Sequence, residues 1–431
     1  MGEYPGPGSG AVCRLFGAYE DRTSSDERHR MCLSTGDETG SVSPQAKKSL
    51  LSAVVRVPAK GVCGTATGLS TLPFWSRPAP LLQYNCAMKI NFRSDNESPA
   101  AAAIMAAVIE ANSGRSWAYA DDQWSGRLNQ VFGQLFETEV SVIPVSTGTV
   151  ANSIALASVT PPWGSVYCQG NAHIYNDESG APEFFGNGLR IVPVGGGNGK
   201  IDAAELTTMV KANTGHGVHS YLPSAISLTQ STECGTVYLP DEVAAIAKAA
   251  HELGMVTHMD GARFGNAVAT LACKPADITW RAGIDMLSFG ASKNGCMAAE
   301  ALVLFGHHER VAVLERLRKR SGHLLSKMRY VSAQLLAYVE DDLWLELATN
   351  SNKQATVFAN AVANHGDASL EFPVEANEVF VSWTPEGFRQ LEEKGIEFLM
   401  WPGRNDLARF VFSHCTTDEE TESLCKALVS Q

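Results

Sequence analysis

The sequence contains no long apolar run. None of its hydrophobic stretches approaches the ~20 residues needed to cross a bilayer, which argues against a spanning helix and a membrane partner. It is also short of basic charge: 34 Lys and Arg against 46 Asp and Glu leave a net charge of −12. Nucleic-acid backbones are held by clustered Lys and Arg, and no basic stripe with interleaved aromatics is present, so nucleic acid is not an expected partner. The acidic balance reads as simple solubility. The ten cysteines form no Cys-x-x-Cys pair and no zinc-like spacing. They read as reduced thiols, some buried as small apolar groups, and no structural metal is expected. The start of the chain lacks the early apolar core of a secretory signal: Met1 is followed by Glu3, prolines and glycines. No repeat of fixed period is visible.

What is present is ordinary globular usage, 45% hydrophobic and 19% charged over 431 residues, enough for a large domain plus a smaller one. Residues 1–87 differ, being rich in Gly, Ser, Pro and Thr. Such composition buries too little apolar surface to offset the entropy of ordering. They are expected to be a disordered or upstream extension. A targeting segment is the competing reading, and the early acids Glu3, Glu20 and Asp21 count against it. A cytoplasmic location is expected, organellar only if 1–87 is a genuine targeting segment.

From Met88 onward strands and helices alternate. Short β-rich runs read as strands at 141–146, 165–170, 190–195, 224–230, 255–260 and 284–290. A helix follows the first of them, in "TGTVANSIALAS". A second helix is clear at 241–253, where Val243, Ile246, Ala247, Ala250 and Leu253 share one face, with Pro240 in its first turn and Gly254 at its end. The alternation predicts an α/β fold with a mostly parallel sheet over 88–325, whose functional groups lie beyond the carboxyl ends of the strands. Residues 326–431 turn helical and then give two strands, "EVFVSW" and "ARFVFS", which predicts a smaller α+β C-terminal domain.

The chemistry is carried by residues at strand ends. Lys293 sits in "SFGASKNG", directly after an apolar strand. A lysine alone is usually a solvated charge, but at the end of a buried strand it points into a site, where desolvation yields a nucleophilic amine able to form a Schiff base. Asp260 ends the preceding strand. It reads either as a cap for the next segment or as the carboxylate that partners the pyridine nitrogen of pyridoxal phosphate (PLP) and makes that ring an electron sink. Arg263 reads as a surface ion pair or as a ligand for a cofactor oxygen or substrate carboxylate. "STGTVAN", 146–152, joins a strand end to a helix start, where backbone N–H groups and the Thr147 and Thr149 hydroxyls suit an anion, although many helices are capped this way without a ligand. His173 reads as a structural hydrogen-bonder or as a ring stacked on a pyridine face. Asp177, Glu178 and Glu233 are carboxylates of unassigned role nearby.

The order of these features is more specific than any one of them. With "RSDN" (93–96), "YADDQW" (119–124), "TGTVAN" (147–152), "AHIYNDESGAPEFF" (172–185), "MDGARFGNA" (259–267) and "FGASKNG" (289–295), the chain resembles the low-specificity L-threonine aldolases, members of the β-eliminating lyase superfamily of fold-type-I PLP enzymes. "SKMR" (326–329) and "ARFVFS" (408–413) extend the likeness over nearly all of 90–431. The resemblance implies an aspartate-aminotransferase-like large domain and PLP-dependent cleavage of L-threonine, L-allo-threonine or another L-β-hydroxy-α-amino acid such as phenylserine to glycine and an aldehyde. It implies the Schiff-base lysine at Lys293, its pyridinium partner at Asp260, ring stacking by His173 and a phosphate turn at Thr147, Gly148 and Thr149. It implies a substrate-carboxylate clamp at Arg409, assisted by Ser94 and Arg263. Tyr119 and Arg329 are implied to act across a subunit interface in a homodimer or homotetramer with shared active sites. Two departures stand out. Ala120 replaces the usual glycine and suits the fold only if the backbone there avoids positive φ. Glu233 replaces a second histidine, which leaves the β-hydroxyl base open among His173, Glu233 and a positioned water. Rival readings are a PLP-dependent β-eliminating lyase, an amino-acid racemase, a transaminase, and a catalytically silent PLP-binding interaction protein.

Overall fold

The computed structural model describes residues 89–429, so the expectation for 1–87 lies outside the described residues. At the centre is a seven-stranded sheet. Its spatial order is Ser141–Val145, Glu300–Leu304, Met286–Gly290, Val256–Gly261, Leu222–Thr229, Gly164–Gln169 and Arg190–Val194. Glu300–Leu304 runs antiparallel to both of its neighbours. The other pairings are parallel. The strand at Glu300 is the one the sequence reading passed over. Its reversal matters for the site: it begins at the edge where the other strands end, so Glu300 pairs with Gly290 just before Lys293.

The parallel strands are covered on both faces by helices, as burial of both sheet faces requires. Met286–Gly290 is buried throughout. Phe289 lies on that strand, with ring centroids 5.2 Å from Phe132, 5.8 Å from Phe264 and 5.9 Å from Trp344. Burying one such ring stabilises by ~1.5–3 kcal/mol. Helix Pro240–Glu252 buries Val243, Ile246, Ala247 and Ala250, as the 3.6-residue spacing predicts. The Glu242 carboxylate caps it by accepting the N–H of Leu239 at 2.7 Å, and Gly254 at φ +75° ends it.

A second, four-stranded antiparallel sheet is formed by Leu399–Met400, Leu407–Val411, Glu378–Ser382 and Ser369–Leu370. Its core includes Phe358, Val379, Phe380's neighbour Val381 and Phe410, and draws in Phe92 from near the first described residue. Residue 325 does not separate the two cores. Helix Arg329–Val339 places Val331, Leu335 and Tyr338 in the large core, and helix Leu343–Ala363 runs from Trp344 in that core to Phe358 in the small one. Among the described residues no helix is long and apolar enough to cross a membrane.

Candidate active site

Three of the sequence's strand-end features meet at one edge of the large sheet. Asp260 is the penultimate residue of Val256–Gly261 and is buried. Lys293 lies in a short 3-10 turn, Ser292–Asn294, directly after Met286–Gly290. Thr147 caps helix Gly148–Val159, its hydroxyl accepting the N–H of Val150 at 3.4 Å. The first N–H groups of that helix have no intrahelical acceptor and point outward with the positive end of the helix dipole. A side chain built at Gly148 would meet nothing within 4 Å, so open space lies over this helix end.

A polar network joins these points. The Asn152 amide, one turn into the helix, donates to Asp260 at 2.8 Å and to Glu178 at 2.9 Å. Glu178 also takes the Nδ1–H of His173 at 2.9 Å, which leaves Nε2 of a neutral ring as the free acceptor. Glu233 lies behind His173, accepting its backbone N–H and the Thr229 hydroxyl, each at 2.9 Å. The second carboxylate oxygen of Glu233 is buried without a partner. The His173 side chain is 40% exposed, whereas the Glu178 that holds its ring is wholly buried.

The electrostatics follow from this crowding. The bond to Glu178 raises the His173 pKa and Asp260 adds to the effect, against burial and the positive charge of Lys293. Burial pushes Glu178 up, with Asp260 contributing. Burial pushes Glu233 up to about 7, again with Asp260 contributing. Glu300 is fully buried and pushed up to about 7 by burial, while it accepts the N–H of Ala291 at 3.0 Å and of Ser292 at 3.3 Å. It thereby braces the turn that carries Lys293.

On the opposite side lies an ion-pair cluster. Arg263 donates through Nε and Nη2 to Asp95 at 2.8 and 3.1 Å, and its Nη1 meets Glu378 at 3.0 Å. Burial raises the Asp95 carboxyl, but Arg263 and Lys293 outweigh it and hold the group below its usual range. Arg409 touches Glu378 through Nη1 at 3.4 Å, while its Nε is buried without an acceptor. Ser94 sits beside Asp95, its hydroxyl accepting the N–H of Asn96 at 3.2 Å.

Not every expected residue joins this group. Arg329 donates to the Gly114 carbonyl at 3.2 Å and lies over the Tyr330 ring. Tyr119 is exposed, with the Lys319 ammonium 4.7 Å from its ring. Among the described residues neither is bonded to Lys293, His173 or Asp260. The condition on Ala120 is not met: its φ is +74° and that of Tyr119 is +58°. The turn therefore holds two non-glycine residues in the left-handed region, at roughly 1 kcal/mol each. Glu178, whose role the sequence leaves open, belongs to the site, as do Asn152, Glu300, Asp95 and Glu378, to which no local motif assigns a role.

The residues present fit PLP. The helix end with its open space suits a phosphate, Asp260 a pyridinium, and Lys293 a carbonyl carbon. Buried oxygens without partners on Asn152, Glu178 and Glu233 surround the same place. Fold and site together define a fold-type-I PLP enzyme. The family model for beta-eliminating lyases matches residues 91–384. The chain is 41% identical to a low-specificity L-threonine aldolase of Pseudomonas aeruginosa, over 78% of this chain and 96% of that protein. It is 26% identical to one from Saccharomyces cerevisiae, over 68% and 73% respectively. A solved Leishmania major threonine aldolase superposes with a TM-score of 0.73 at 25% identity, covering 78% of this chain and 98% of that one. The chain belongs to the low-specificity L-threonine aldolase family of beta-eliminating lyases, and is a PLP-dependent aldehyde-lyase.

Proposed function

We propose that the chain cleaves L-threonine, L-allo-threonine and related L-β-hydroxy-α-amino acids such as phenylserine to glycine and an aldehyde. The observation that carries this reading is the His173–Glu178 pair beside Asp260. It offers a partly exposed imidazole whose far nitrogen is free to take a hydroxyl proton.

PLP would be held by the helix end at Thr147, Gly148 and Thr149, by His173 on the ring face, by Asp260 at the pyridine nitrogen and by Lys293 through its amine. Bound there, it supplies an electron sink for the pair left on Cα when the Cα–Cβ bond breaks. Asp260 keeps a proton on the pyridine nitrogen, and Asn152 holds Asp260 in place. Arg409 binds the substrate carboxylate and so orients the bond to be broken. His173 removes the β-hydroxyl proton at Nε2, with Glu178 fixing the ring and Glu233 fixing the backbone behind it. Arg263, bonded to Asp95 through Nε and Nη2 and ion-paired with Glu378 through Nη1, acts as a brace for the site. Tyr119 and Arg329 complete the site of a second subunit in a homodimer or homotetramer. Support for that lies in their contacts with Lys319, Gly114 and Tyr330 rather than with this chain's own cluster, and in exposed Trp117 and Met297 nearby in sequence to Tyr119 and Lys293.

The test is product analysis of the PLP-loaded protein offered L-threonine, L-allo-threonine and L-phenylserine separately. Glycine and aldehyde in equal amounts are expected, with none from Lys293→Ala. Pyruvate and ammonia without glycine would move the chain to the eliminating lyases, and inversion at Cα alone would make it a racemase.

A further inference from the structure

The ion-pair cluster sets two carboxylates, Asp95 and Glu378, against two arginines, Arg263 and Arg409. Glu378 opens strand Glu378–Ser382, opposite Val411, and its side chain is wholly buried. Its two oxygens meet two different guanidiniums, Arg263 at 3.0 Å and Arg409 at 3.4 Å. Asp95 takes the remaining donors of Arg263 and a further bond from Asn377 at 3.1 Å. Two positive charges therefore already face two negative ones. Arg263 is bonded to Asp95 through Nε and Nη2, and its Nη1 lies 3.0 Å from a Glu378 oxygen in an ion pair, so all three of its nitrogens face a carboxylate. Arg409 has one, at the long end of the range, and keeps a buried Nε with none. A substrate carboxylate must therefore be received by Arg409, and must share it with Glu378.

We propose that Glu378 is a specificity-determining residue that occupies the carboxylate clamp from within. It weakens the hold on α-carboxylates, so that neutral amino-acid amides are accepted alongside the acids. The physical reason is like-charge repulsion at low dielectric. Two carboxylates on one partly buried guanidinium repel each other, whereas a carboxamide brings no charge to be repelled. The alternative role for Glu378, merely holding Arg409 in place, predicts the opposite sign. Removing its charge would then loosen Arg409 and weaken carboxylate binding.

This inference rests on Arg409 being the clamp, so the experiment tests both. The holoenzyme, Glu378→Gln and Arg409→Gln are compared in two ways: kcat and KM for L-threonine and L-threoninamide, and Kd for glycine and glycinamide by titration calorimetry. In Glu378→Gln, which keeps the shape and acceptor oxygen, KM for L-threonine and Kd for glycine fall by roughly tenfold, the size of one buried charge interaction. The amide values move much less. In Arg409→Gln glycine binding weakens by roughly tenfold or more while glycinamide holds. If Glu378→Gln leaves glycine binding unchanged, weakens it, or shifts acid and amide equally, the proposal is overturned even with Arg409→Gln behaving as expected. If Arg409→Gln leaves glycine binding unaltered, the clamp itself is elsewhere and the proposal falls with it. Should Glu378→Gln lose its cooperative thermal transition, Glu378→Asp withdraws the charge by one methylene. A severalfold tighter glycine Kd is expected there, and an unchanged one overturns the proposal.

Discussion

Glu300 gives the chain a pH dependence of stability that can be worked from the structure. Its carboxyl is buried at the start of an antiparallel strand and pushed up from 4.5 to about 7, chiefly by burial. A group whose folded pKa lies above its unfolded one binds its proton more tightly in the folded state. Its contribution is complete below the unfolded value and is lost as pH rises through the folded value. Each pH unit between the two corresponds to ~1.4 kcal/mol, so roughly 3 kcal/mol of stability disappears between about pH 4.5 and 7. Glu300→Gln does not ionise and escapes this loss. Its carbonyl can still accept one of the N–H groups of Ala291 and Ser292, although the amide end cannot serve the other. That fixed deficit is the same at every pH, so the diagnostic is the difference between variant and parent. At ~2 °C per kcal/mol, the gap in apparent melting temperature should move by about 6 °C in the variant's favour from pH 4.5 to pH 8. Differential scanning calorimetry across that range measures it. A gap that stays constant with pH would refute the claim that Glu300 is held protonated by burial.

Two further outcomes are expected. Glu178→Gln removes the negative partner that raises His173, so the acid limb of the kcat/KM profile for L-threonine moves to lower pH. An unmoved limb would mean that His173 is not the titrating base. Phe289→Ala empties the centre of the aromatic cluster under the Lys293 turn and should cost about 3–5 kcal/mol in denaturant unfolding, whereas Phe289→Leu costs markedly less. Equal losses for the two would show that the cluster is not closely packed.

The parts of the molecule that were legible in the sequence share one property: their roles are fixed by a few consecutive residues. A buried strand followed by small residues and a lysine puts that lysine at a sheet edge, and Lys293 is there. A strand, a threonine and a helix start make a cap, and Thr147 is that cap. Helix Pro240–Glu252 lies within one residue of its expected bounds at each end, because Pro240 and Gly254 punctuate it. Strand Glu300–Leu304 was passed over because it opens with a glutamate and follows its neighbour after a short turn, so it lacks the helix that marks the other strands. The sequence predicts that the chain turns helical after 325, and Arg329–Val339 is a helix. Periodicity does not say which of two cores an apolar face will join, and Tyr338 and Leu335 join the larger one.

The hidden members of the site are buried charges or amides, and apart from Glu300, which bonds Ala291 and Ser292, their partners are distant in the chain. Asn152 reaches Asp260 over 108 positions, and Arg263 reaches Asp95 over 168. A glutamate at the first position of a strand reads locally as a solvated end, and Glu378 becomes something else only because Arg263 and Arg409 converge on it from two other segments. Such a residue is the place where this chain can differ from its relatives without changing fold or cofactor. Local patterning fixes the sheet edge, the helix end and the lysine, and therefore the place for the cofactor. The count of buried charges around the carboxylate clamp is under no such local constraint. A carboxylate there leaves Lys293 and Asp260 where they are and weakens the hold on a substrate's α-carboxylate.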